Sequence, residues 1–224
     1  MPALGAAFQV SAAAPSATAR AFIRSLDSAA HNVEPFEHWL LDAVLTESDI
    51  DDILSLPQAA PAGAVFDGTR ECNNQLRWYF SPDHQARHPV CARIAQAFAD
   101  PQVMQSIEQA TGANLANTRA RIEYCQDIDG FWLGPHTDIS VKRFTMMVYL
   151  SDDPLLADAG TSLYDGSPEH RHVSDVPYGR NLGAIFIPGT DTWHGFEKRP
   201  IRGVRKSLIV NYVGPEWRAV NELS

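Results

Sequence analysis

The triplet His136-Thr137-Asp138 sets an imidazole and a carboxylate two residues apart. In an extended strand such side chains project to the same face, so both can reach one ion. A second imidazole, His194, follows in Thr190-Asp-Thr-Trp-His194-Gly, beyond the apolar run 182–187. Two imidazoles and a carboxylate on one face of an octahedral ion leave three positions open, an arrangement suited to iron(II) that must bind further ligands. By itself a His-x-Asp triplet is a common surface feature, and the distal residues give it weight. Arg205-Lys206-Ser207 begins an apolar strand in which Arg205 and Ser207 share a face. A guanidinium inside a barrel is costly unless it meets an anion, and its planar fork matches a carboxylate held by two hydrogen bonds. At a sheet edge the same Arg would merely be solvated; with the triplet and the distal His present, a carboxylate ligand accounts for it better.

The elements that must position these residues follow from apolar spacing. From residue 118 onward the chain runs as short β-rich segments separated by Gly, Pro and Asp: 119–124, 131–136, 142–150, 161–165, 182–187, 191–195 and 205–213. Such spacing predicts a barrel or sandwich. Upstream, Thr46 with Asp49 marks a helix start, and Ile50, Ile53 and Leu54 form one face before Pro57, predicting a helix over 47–56. A strand is predicted over 75–80, and the stripes Val90, Ile94, Phe98 and Val103, Met104, Ile107 predict helices near 88–99 and 101–111. The fold class is therefore α+β and mainly β: a helical support over about 31–117 carrying a double-stranded β-helix, a small cupin-like jelly roll, over about 118–215. Residues 31–224 are expected to form one domain, and the Ala-rich residues 1–30 a peripheral arm.

Composition narrows the function. The 224 residues are 45% hydrophobic and 20% charged, ordinary values for a globular protein. A net charge of −9 disfavours a phosphate-backbone partner, so no nucleic acid is expected. Cys72, Cys91 and Cys125 are odd in number and widely spaced, which fits a reducing cytoplasm rather than a disulfide framework or thiolate zinc site. Residues 1–19 lack the basic and unbroken apolar parts of a secretory signal, and no run approaches a bilayer span, so no membrane partner is expected. His170-Arg-His172 lies in a charged loop and reads as a solvated run. Arg202, between Pro200 and Gly203, reads as a turn. The polar segment 68–77 is equally a substrate wall or a soluble loop.

The order His-Thr-Asp, then Trp-His-Gly, then Arg-Lys-Ser resembles the 2-oxoglutarate/iron(II)-dependent oxygenase superfamily, nearest to its prolyl-4-hydroxylase-like members, over about residues 119–213. The segment beginning Pro35-Phe36-Glu-His-Trp is similar to how such catalytic domains open. The resemblance implies that His136, Asp138 and His194 ligate iron(II) and that Arg205 binds the distal carboxylate of 2-oxoglutarate. Ser207 matches the second polar position of an Arg-x-Ser pattern, and Tyr149 a Tyr placed against the same carboxylate. Tyr124 matches another cosubstrate-contacting Tyr, although two extra residues separate it from the His, and a packed core Tyr is an equal reading. Dioxygen would be the second cosubstrate, with ascorbate as a further cofactor. The implied reaction is hydroxylation of an unactivated C–H, or a desaturation or demethylation by the same chemistry, of a small molecule or protein residue, with succinate and carbon dioxide released. Two rivals are a non-catalytic jelly-roll binding domain and a cupin, though a cupin would carry His at the place of Asp138. Substrate and oligomeric state stay open.

Overall fold

The computed structural model describes residues 14–69 and 76–224. Its strands form two antiparallel sheets. The larger has seven strands in the order β1 (Ala30–Asn32), β2 (His38–Leu41), β9 (Gly183–Phe186), β6 (Lys142–Tyr149), β11 (Arg205–Val213), β4 (Arg119–Asp127) and β3 (Trp78–Tyr79). The smaller has four, in the order β5 (Leu133–His136), β10 (His194–Phe196), β7 (Ser162–Tyr164) and β8 (His172–Asp175). Together they make the double-stranded β-helix expected from the spacing of the short strands.

Alternation decides which way each side chain of the large sheet faces. Ile122 and Tyr124 of β4, Phe144, Met146 and Val148 of β6, and Leu208, Val210 and Tyr212 of β11 enter one apolar core. Three helices cover that face: α1 (Ala17–Asp27), α4 (Pro89–Phe98) and α5 (Pro101–Thr111), through Phe22, Leu26, Ile94, Phe98, Val103 and Ile107. Helix α2 (Glu47–Leu54) starts where Thr46 and Asp49 predicted, with the Thr46 hydroxyl accepting from the Asp49 amide at 3.1 Å. Burial alone would raise the Asp49 carboxyl, but donors from Thr46, Arg93 and Thr18 outweigh it and hold the group below the usual carboxylate range. A short helix, α3 (Pro82–Arg87), precedes α4.

Three expectations need correction. Residues 17–27 are not part of a peripheral arm: they form α1, capped by Ser16, whose hydroxyl accepts from the Ala19 amide, and Ala19, Phe22 and Leu26 are buried in the main core. The sequence hides this because Ala dominates the start and only Phe22, Ile23 and Leu26 mark an apolar face. Residues 1–13 lie outside the described residues. The segment 172–175 is an edge strand rather than plain loop, and β1 and β2, which lie between α1 and α2 in the chain, extend the large sheet. The strand predicted over 75–80 is confined to Trp78–Tyr79, with residue 75 outside the described residues. Cys91 and Cys125 are buried free thiols, and Cys72 is outside the described residues. Among the described residues no helix is long and apolar enough to cross a membrane.

Candidate metal and carboxylate site

The two sheets face each other across a pocket of about 730 Å3, part of it open to solvent. Antiparallel pairing of β5 with β10 sets His136 directly opposite His194, and their rings lie 4.4 Å apart between centroids. That close approach depends on Gly195, where an added Cβ would stand 2.6 Å from the Leu133 carbonyl oxygen. Asp138 follows β5 in the turn to β6 and is buried. Candidate donor atoms of His136, Asp138 and His194 lie within 4.8 Å of one another, the one such group among the described residues.

The ring tautomers are fixed from behind. Nδ1 of His136 is 2.9 Å from the Gly134 carbonyl and Nδ1 of His194 is 2.9 Å from the Thr192 carbonyl. A carbonyl only accepts, so Nδ1 carries the hydrogen and Nε2 the lone pair, the form in which imidazole binds a metal. Burial first, and His136 next, push His194 down to about 3, against the opposing pull of Asp138 and the Thr192 carbonyl. His194 is thus neutral at physiological pH. Asp138 accepts from Lys142 Nζ through Oδ1 at 2.6 Å and from Thr145 Oγ1 through Oδ2 at 2.7 Å.

Arg205 lines the same pocket and is buried, directly opposite Asp127 in the β11–β4 register. Its Nε donates to the Ala159 carbonyl at 2.7 Å, Nη1 to Asp127 Oδ2 at 2.7 Å and Nη2 to Thr161 Oγ1 at 3.2 Å. A guanidinium has five N–H donors, so one on each Nη remains after these bonds. Burial alone would lower the Arg205 pKa, but Asp127 and the nearby phenols outweigh it and keep the group charged. Asp127 is shared with Arg77, whose Nη1 donates to Oδ1 at 3.0 Å. The Ser207 hydroxyl also faces the pocket, is buried, and finds no hydrogen-bond partner among the described residues. A buried orphan hydroxyl beside a guanidinium with donors to spare fits a bound carboxylate oxygen.

The remaining sequence-derived residues divide. Tyr149 is buried behind Thr161: its hydroxyl donates to Thr161 Oγ1 at 2.9 Å and accepts from the Thr161 amide at 2.8 Å, and its ring lies 5.3 Å from the Arg205 guanidinium carbon. It therefore supports the Arg205 end without lining the pocket. Tyr124 is a correction: it points to the opposite face of β4, into the helix-covered core, because alternation gives the pocket Glu123 instead. Arg202 is exposed in a bend, and His170 and His172 stand apart from the triad, His170 stacked on Trp193 at 3.7 Å between ring centroids. Of the polar segment 68–77, Arg77 lines the pocket while residues 70–75 are outside the described residues. Sequence reasoning missed Asp127, Lys142, Thr145, Thr161 and Asn211. Thr145 and Asn211 did carry a signal, as polar residues at inward positions of otherwise apolar strands; Asp127 and Thr161 become visible only once strands are paired.

No family model matches the sequence, and no curated protein matches it. Solved structures share the fold. A prolyl-4-hydroxylase from Pseudomonas putida superposes with a TM-score of 0.58 at 14% identity, covering 88% of this chain and 98% of that one. A prolyl hydroxylase from Trichoplax adhaerens, solved with a peptide fragment of the hypoxia inducible factor oxygen degradation domain, gives 0.53 at 12% identity, covering 87% and 88%. HygX from Streptomyces hygroscopicus, solved with nickel and 2-oxoglutarate bound, gives 0.51 at 16% identity, covering 81% and 84%.

Proposed function

We propose that this chain is an iron(II)- and 2-oxoglutarate-dependent dioxygenase that hydroxylates an unactivated C–H bond. The observation that carries this reading is the convergence, in one pocket, of His136, Asp138 and His194 with a buried Arg205 and the unpartnered Ser207 hydroxyl. In it, Nε2 of each His and one oxygen of Asp138 hold the metal, and Arg205 with Ser207 holds the far carboxylate of the cosubstrate. Iron(II) held there would supply the oxidising chemistry with dioxygen, 2-oxoglutarate being converted to succinate and carbon dioxide.

The chain's own residues supply geometry and exclusion of water. Asp127 orients the guanidinium, Thr161 and Tyr149 brace it, and Phe131, Leu133 and Phe196 make the apolar part of the wall. A small molecule is the preferred class of substrate, with a single protein side chain as the alternative. The Trichoplax enzyme, solved with a peptide, supports the protein-residue alternative.

Anaerobic iron(II) titration followed by succinate release across a panel of candidate substrates tests the reading. One metal per chain, and turnover coupled to one compound, are the expected results. A protein that binds no stoichiometric iron would instead be a jelly-roll binding module in which the two His rings serve only structural hydrogen bonds.

A further inference from the structure

The carboxylate proposed to bind the metal already holds a buried cation. Lys142 Nζ lies 2.6 Å from Asp138 Oδ1, and the two side chains are 3% and 2% exposed. The contact is built into the chain: a turn in which the Lys142 amide donates to the Ile139 carbonyl at 3.0 Å brings the side chain back over Asp138 as β6 begins. The other oxygen is held by Thr145, which also lies 3.0 Å from Asn211 Oδ1. A hydroxyl has one hydrogen, and the Asn211 Nδ2 is buried without a partner. Turning the Asn211 amide over gives the Thr145 hydrogen a single acceptor: Asn211 donates to Thr145, and Thr145 donates to Asp138.

Charge balance gives this arrangement a consequence. Three cations line the pocket, Arg77, Lys142 and Arg205, against three carboxylates, Glu123, Asp127 and Asp138; Arg121, which pairs with Glu123 from outside the lining, also pairs with Glu222, so the cluster is neutral with or without that pair. A divalent ion alone leaves a net charge of +2 in a mostly buried site, and a dicarboxylate alone leaves −2. Both states carry the cost of an uncompensated buried charge. Bound together, the ion and the dianion restore neutrality. Lys142 tips the balance because it is the cation in direct contact with the proposed ligand set. Without it the pocket would carry −1 and attract the metal unaided.

Resting on the proposed reading of the triad, we propose that Lys142 makes divalent-metal binding depend on a dianionic ligand, so that metal and dicarboxylate load as a charge-neutral pair. Lys142 is then a positioning residue that also sets the order and coupling of loading. Its removal acts on metal affinity itself, before any turnover.

Manganese(II), which needs no exclusion of air, is the probe, titrated by calorimetry into the full chain with and without saturating 2-oxoglutarate. In the wild type, 2-oxoglutarate is expected to tighten manganese binding by about tenfold or more, the size of an ordinary coupling between charged ligands. Lys142→Gln keeps a donor to Asp138 without the charge, and Lys142→Met removes both. Each should bind manganese alone roughly tenfold more tightly than the wild type and gain much less from 2-oxoglutarate. Lys142→Arg, which keeps the charge, should retain the wild-type coupling. Thr145→Val should weaken manganese binding in both conditions and leave their ratio unchanged, since it removes a neutral donor. Charge-removing variants that bind manganese alone no better than the wild type would overturn the proposal, as would Lys142→Arg behaving like Lys142→Gln. Should the wild type bind manganese in neither condition, the metal-site reading itself fails; binding that His136→Ala abolishes upholds that reading whatever the Lys142 variants do.

Discussion

On β4, β6 and β11 the residues facing the helices are Ile122, Tyr124, Phe144, Met146, Val148, Leu208, Val210 and Tyr212, while their immediate neighbours facing the pocket include Glu123, Asp127, Thr145, Arg205 and Ser207. The same three paired strands thus carry an apolar face and a charged one, separated by a single step along the chain. The apolar face is stabilised by burial, which any well-packed hydrocarbon can supply. The pocket face holds ionised groups whose desolvation must be offset pair by pair: Arg205 with Asp127, Arg77 with Asp127, Lys142 with Asp138. The first face should therefore govern stability and the second, ligand binding. Variants on each face test that separation.

The largest expected effect lies on the pocket side. His136→Ala or His194→Ala should remove tight metal binding and reduce 2-oxoglutarate turnover below detection, while the circular dichroism spectrum stays that of the wild type. Metal retained at wild-type affinity would show that the triad is not the ligand set. Opposite in kind, Leu208→Ala on the helix face should cost about 2–5 kcal/mol in urea unfolding. Metal binding by the protein that remains folded should be unchanged. A Leu208→Ala protein that is folded but binds no metal would show that the two faces are coupled through the sheet.

Between these falls Arg205. Its replacement by Ala should weaken 2-oxoglutarate binding roughly tenfold to more than a hundredfold, the equivalent of losing a charge-assisted bond worth about 1.5–3 kcal/mol. Metal binding without the cosubstrate should persist. Arg205→Lys should recover part of the loss, keeping the charge but not the fork. Arg202→Ala should leave the cosubstrate requirement near the wild-type value, because Arg202 is exposed in a bend. The reverse ranking would move the anion clamp to Arg202.

Much of this was legible in the sequence where spacing alone specifies a face. The strand 205–213 and the helix 101–111 agree with their predicted ends, and the triplet His136-Thr-Asp138 and distal His194 do meet. Pairing was not legible. Nothing near Asp127 announces Arg205, which reaches it across the β4–β11 register, and nothing near Thr161 announces the hydroxyl of Tyr149. Helix α1 was missed because its core contact rests on a few large residues among alanines, Phe22 and Leu26, which only partners such as Phe98 make sense of. Lys142 follows Asp138 closely in the chain, yet a Lys next to a carboxylate reads as an ordinary surface pair until its burial is seen.

The finest test uses two tyrosines that the sequence placed in one role and the structure places on opposite faces. Tyr149→Phe removes the hydroxyl that accepts from the Thr161 amide and donates to Thr161 Oγ1. The buried amide then loses its partner, at a cost of about 1–3 kcal/mol in stability. Thr161, no longer braced, should hold Arg205 less firmly, and 2-oxoglutarate affinity measured by calorimetry should fall by about threefold to tenfold. Tyr124→Phe removes a hydroxyl with no hydrogen bond to it among the described residues, from a ring packed against the helices. Its stability should change by less than about 1 kcal/mol, and its 2-oxoglutarate affinity should match the wild type. The opposite result, with Tyr124→Phe weakening the cosubstrate and Tyr149→Phe silent, would require β4 to be displaced by one residue against β11. Such a slip would carry Ile122 and Tyr124 into the pocket and Glu123 and Asp127 into the apolar core, where those carboxylates would have no partners.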